Sequence, residues 1–164
     1  MIPMEQTLLD LYARLKRAAE RSRVFAMRAD KDGRPELARL FLAAAESQSM
    51  QAGRFLMQAR GSVAATDDND RELFEQTLRE AIAEYETLRE EAEENGFQAL
   101  ATGFRHGAAV DEQLVRLRED LAAGAGMREY YVCDFCGYVA PDAPPDNCPV
   151  CTAPKKRFHR VGGS

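Results

Sequence analysis

At 164 residues and a formal charge of −5, the chain has room for one domain, or for one domain and a small module. Its 45% apolar and 30% charged content is ordinary for a globular protein, and the acidic balance argues against nucleic acid as a general partner, because phosphate binding needs a basic footprint. The start MIPMEQTLLD has no basic segment followed by an apolar one, and the longest apolar run, LFLAAA at 40–45, is too short to cross a bilayer, so the expectation is a cytoplasmic protein without a membrane partner.

Good helix formers at 3.6-residue spacing dominate the chain as far as the run AAGAGM at 122–127 and predict four helices. The first covers Met4–Lys31, with Leu8, Leu11, Leu15, Ala18, Ser22, Phe25 and Ala29 along one stripe. It stops at KDGRP, where Gly33 suits a left-handed cap and Pro35 can begin the next helix. The second covers about Pro35–Arg60, repeats Leu37, Phe41, Ala44, Gln48, Gln51 and Phe55, and ends at Gly61. A third follows SVAATDDND, whose acidic residues suit a helix N-terminus; it carries Phe74, Leu78, Ala81, Tyr85 and Leu88 and stops at ENG. The fourth carries Phe97, Leu100, Phe104, Ala108, Asp111, Leu114, Val115 and Leu121. Long amphipathic helices with short first and last connections suggest a four-helix bundle. The middle connection permits either a simple turn or a diagonal crossover.

Past residue 127 the composition changes to prolines, aromatics and all four cysteines. The expected division is therefore a bundle over 1–124 and a second module over 128–164. That second part is too short to bury a self-sufficient core, so a metal is expected to hold it folded. Cys133, Cys136, Cys148 and Cys151 form two C-x-x-C hooks eleven residues apart, which can wrap four thiolates around one tetrahedral ion. Gly137 permits a turn with positive φ that aims backbone N–H groups at sulfur. A reducing compartment disfavours disulfides. Zinc and iron both accept four thiolates, and spacing does not separate them. The tail PKKRFHR reads as a solvated basic end, and Tyr131, Phe135, Tyr138 and Phe158 as aromatic packing that shields the hooks.

The stretch YYVCDFCGYVAPDAPPDNCPVCTAPKKRF resembles the rubredoxin-like tail of the rubrerythrin family, with C-x-x-C-G-Y, C-P-x-C and P-K-x-x-F in matching order. Upstream, LARLFLAAAE, GRF and AEENGF are similar to that family's ferritin-like bundle. The resemblance implies a mainly α fold, a ferritin-like four-helix bundle followed by a small rubredoxin-like metal-binding domain, with one iron in the tail that passes electrons, and a homodimer. It also implies a di-iron centre that reduces peroxide, built from inward carboxylates and Glu-x-x-His pairs. Carried over residue by residue, those positions fall on Leu15, on Gln48 and Gln51, on Thr77 and Glu80, and on Asp111 and Leu114. Only Glu80 and Asp111 keep an anionic ligand, so the di-iron centre is expected to be absent.

Without the family, Gln48, Gln51 and Asp111 still interrupt apolar stripes and predict a polar patch inside the bundle with no histidine in it. His106 and His159 are expected at the surface, as are Glu20 and Glu46. The patch is read as a satisfied hydrogen-bond cluster, or as an altered metal site built from Glu80, Glu84, Asp111 and the Gln48 and Gln51 amides. Two functions compete: a redox protein that cycles one electron at the tail iron and serves a redox protein partner, and an interaction protein in which zinc merely folds the tail. An active peroxide-reducing rubrerythrin is the lesser alternative.

Overall fold

The computed structural model describes residues 3–59 and 63–162. By contacts the chain divides into two compact units, Met1–Ala65 and Thr66–Ser164.

The first unit is a helical hairpin of α1 (Met4–Lys31) and α2 (Pro35–Gln58). Its turn forms as the sequence predicts: Gly33 has φ +70°, Arg34 N–H donates to Ala29 O at 2.9 Å, and Pro35 opens α2 where its missing N–H costs nothing. The expected end of α2 at Gly61 lies outside the described residues. The residues this hairpin buries are alanines: Ala19, Ala26 and Ala29 on α1 against Ala38, Ala45, Ala52 and Ala59. Ala19 and Ala26 lie seven apart, as do Ala38, Ala45 and Ala52 of α2, so each helix turns one strip of small side chains to the other. Small side chains allow close helix approach. The larger stripe residues Leu8, Leu11 and Leu15 are only half-buried and Phe25 is exposed. Phe25 meets Phe41 edge to face at 5.7 Å between ring centroids, beside the alanine cluster at the turn.

In the second unit the third helix begins earlier than expected. Helix α3 starts at Thr66 and runs to Arg71, so the acidic residues Asp67 and Asp68 lie within its first turn, where the helix dipole favours them. A π-helical turn over Glu72–Thr77 leads into α4 (Leu78–Glu94). Gly96 takes φ +77° and α5 (Gln98–Ala122) returns antiparallel. Leu78, Ala92, Ala101, Val110 and Leu117 are buried. Tyr85 lies across Gly107: a Cβ there would stand 2.8 Å from the ring, so only glycine permits this approach. Arg118 of α5 grips Asp70 of α3 through two hydrogen bonds of 2.6 and 2.5 Å.

After α5 comes a three-stranded antiparallel sheet of β1 (Tyr130–Cys133), β2 (Val139–Pro141) and β3 (Phe158–Val161), in the order β2-β1-β3. Tyr131 pairs with Ala140 on one side and Arg160 on the other. Arg128 joins the end of α5 to this sheet, 3.7 Å from Asp120 and 2.7 Å from Asp142.

Candidate metal centre

Cys133 ends β1, and its hook turns back at once. Gly137 N–H donates to Cys133 O at 3.0 Å, and Cys133 N–H donates to Tyr138 O at 2.9 Å. The second hook repeats this: Thr152 N–H donates to Cys148 O at 2.9 Å, and Cys148 N–H to Ala153 O at 2.8 Å. In each hook the residue after the second cysteine is left-handed, Gly137 at φ +85° and Thr152 at φ +65°. Sequence reasoning found the glycine and missed the threonine, because a β-branched residue carries no signal for positive φ.

The two hooks bring their sulfurs together. Cys133 and Cys151 Sγ are 3.7 Å apart, Cys136 and Cys148 Sγ are 3.5 Å apart, and all four lie within 4.8 Å of one another. Metal–sulfur bonds of about 2.3 Å place tetrahedral sulfurs about 3.8 Å apart, so this donor set fits one tetrahedral thiolate-bound ion. Cys133 and Cys148 are 2% and 1% exposed, while Cys136 and Cys151 are half-buried.

Main-chain N–H groups face the sulfurs. Those of Cys136 and Phe135 point at Cys133, that of Tyr138 at Cys136 and that of Ala153 at Cys151. Burial pushes the thiols of Cys136 and Cys151 up. Burial acts the same way on Cys133, yet the N–H groups and the neighbouring thiols hold it below the usual thiol range. Main-chain dipoles fixed around the sulfurs suit a bound cation, which four thiolates would hold.

The aromatic shield differs from expectation. Tyr138 and Phe158 meet edge to face at 6.5 Å, but Phe135 is 69% exposed, because the hook turns it outward, and Tyr131 donates its hydroxyl to Glu129. His159 is exposed as expected, yet its Nδ1 lies 2.5 Å from Asp134 Oδ1, linking β3 to the first hook. That contact crosses 25 residues and has no local sequence signal.

The helical candidates are placed differently. In the first hairpin Gln48 is half-buried and its Oε1 lies 3.5 Å from Ser22 Oγ. Gln51 is exposed and donates to Ser47 at 3.3 Å. Ser49 Oγ is buried without a hydrogen-bond partner among the described residues. Glu20 and Glu46 are exposed as expected, both near Arg23 at 3.1 and 3.8 Å. In the second unit Glu80 and Glu84 are exposed, Thr77 lies in the π turn, and Asp111 and Leu114 are half-buried. Burial raises the Asp111 carboxyl. No hydrogen bond joins Glu80 to Asp111 among the described residues. By residue type, Leu15 and Leu114 offer no donor atom, and Gln48 and Gln51 carry no charge.

Comparison with known proteins agrees on the tail and extends upstream. The family profile "Rubrerythrin, rubredoxin-like domain" matches residues 131–159. Rubrerythrin of Porphyromonas gingivalis is 29% identical over 94% of this chain and 88% of its own length. Rubrerythrin-1 of Clostridium acetobutylicum is 24% identical over 93% of this chain and 91% of its own. A solved structure of nigerythrin in a partially reduced state matches 96% of this chain and 86% of that one, at 20% identity and a TM-score of 0.50. At that identity the likeness speaks to the fold alone: the helices of a ferritin-like bundle followed by a small rubredoxin-like domain.

Proposed function

We propose that this chain is a rubrerythrin-family protein and a one-electron carrier whose redox centre is iron held by Cys133, Cys136, Cys148 and Cys151. The observation that carries this reading is the four-sulfur cluster, two of its cysteines buried and two half-buried, with main-chain N–H groups already aimed at it. Iron bound there supplies a one-electron ferric–ferrous couple. The protein's part is to hold its surroundings still. Reduction adds negative charge to the sulfurs, and the N–H groups of Phe135, Cys136, Tyr138 and Ala153 stabilise that charge without rearranging. The hooks are short and closed by paired hydrogen bonds, which keeps the sulfurs in place in both states.

The helices have lost the di-iron function in this reading. Neutral amides and leucines stand where carboxylates and imidazole are required, so peroxide reduction is absent or slight. Residues 128–164 act as a metal-dependent module that follows the helices of 1–124 in the chain. The protein works as a homodimer in the cytoplasm, where the reducing milieu keeps four thiols available. It takes its electron from a reduced redox protein and yields it to an oxidised partner.

Metal analysis of full-length protein purified without oxygen tests the reading. One iron per chain, with thiolate charge-transfer absorption that bleaches reversibly on reduction, is the expected result. Zinc alone, colourless and silent on reduction, would identify a structural ion in an interaction protein. Three irons per chain would restore the di-iron centre and overturn the assignment.

A further inference from the structure

Helix α5 approaches the first hook at Val110. Val110 is 8% exposed, and its Cγ1 lies 3.9 Å from the point where a Cβ on Gly137 would stand. Gly137 is the left-handed turn between Cys136 and Tyr138, and Tyr138 N–H points at Cys136 Sγ. Further along the same helix, Leu114 and Leu117 line an apolar cavity of about 410 Å³ with Val132 and Val139 of the sheet. The Arg116 charge reaches Tyr138. A helix of the bundle thus forms one wall of the metal module.

We propose that Val110 is a positioning residue for the redox centre: by covering Gly137 it keeps water away from the Tyr138 N–H and the Cys136 sulfur, and so sets the reduction potential of the bound iron. This rests on the electron-carrier reading above. Reduction increases the negative charge on sulfur, so any water dipole that reaches it stabilises the reduced state more than the oxidised one. Excluding water holds the potential low. Valine suits the position because a β-branched side chain in a helix has one strongly preferred rotamer and cannot swing aside. Glycine opposite it leaves the hook backbone without a side chain of its own, so Val110 supplies the apolar cover.

The test uses the iron-loaded full chain and the variants Val110→Ser, Val110→Ala and Val110→Ile, followed by spectroelectrochemistry. At a fixed applied potential, Val110→Ser should move the ferrous-to-ferric ratio up roughly tenfold, about 59 mV for one electron. Val110→Ala should move it less, and Val110→Ile should stay with the parent. In zinc-loaded protein, Tyr138 amide exchange should be faster in Val110→Ser than in the parent. If Val110→Ser does not fold, the alanine variant carries the same comparison. Unchanged potentials and unchanged Tyr138 exchange, with thiolate absorption intact, overturn this inference and leave the electron-carrier reading standing. A parent chain that holds only zinc overturns both.

Discussion

Thr152 and Gly137 occupy equivalent turns in the two hooks, yet only one of them is glycine. Holding a non-glycine residue at φ +65° costs roughly 1–3 kcal/mol, whereas glycine adds roughly 0.5–1 kcal/mol of chain entropy to be lost on folding. Thr152→Gly should therefore stabilise the loaded module by about 1 kcal/mol, seen as slower metal loss to a chelator. Faster loss would mean that the Thr152 hydroxyl, bonded to Cys151 O at 2.6 Å, matters more than the backbone. Two glycines of α5 give a sharper contrast. Gly103 has open space around its missing Cβ, while Gly107 has the Tyr85 ring at 2.8 Å. Gly103→Ala should raise stability by about 1 kcal/mol through helix propensity. Gly107→Ala should lower it, because overpacking of about 1–3 kcal/mol exceeds that gain; denaturant midpoints of the two variants should move in opposite directions. Asp111 supplies a third case. Burial raises its carboxyl, so its charged form disfavours the fold at pH above the ordinary carboxylate range, and that penalty fades as the pH falls through the raised value. Asp111→Asn should stabilise the chain at neutral pH without loss of bound metal. Metal lost with the substitution would make Asp111 a ligand after all.

At the scale of elements, the alanine seam and the Asp70–Arg118 grip hold the helices. The grip holds Asp70 below the usual carboxylate range, first through the Arg118 hydrogen bonds. A depressed carboxyl contributes stability above its unfolded pKa and loses it as the pH falls through its folded one. Amide protection over α3 and the π turn should therefore fall in acid, and Asp70→Asn should remove that pH dependence; protection that persists in acid would show the grip to be incidental. Helix number, the Gly33 turn and the ENG stop were legible because capping and periodicity are local. The alanine seam was less so, because sequence reading weighted large apolar residues, and packing distance, which favours small ones, follows from helix approach alone. The π turn lies in a segment without proline or glycine, so no local residue announced it.

For the whole molecule, metal should decide which part folds. Cys133→Ser removes a ligand and leaves the module without enough core to stand alone, while helical circular dichroism should persist; a global loss of helix would show that the helices depend on the metal. The acidic sequence with its four closing cysteines determined a helical protein with a four-thiolate tail, because ligand spacing and apolar period are written along the chain. Only the tertiary structure decided which of the sulfurs are sealed, that Gln51 and Glu80 stay exposed, that His159 closes on Asp134, and that Val110 of a bundle helix stands over the first hook. Each of these joins or separates residues far apart in sequence, where burial and contact depend on how helices and strands approach rather than on any neighbouring residue.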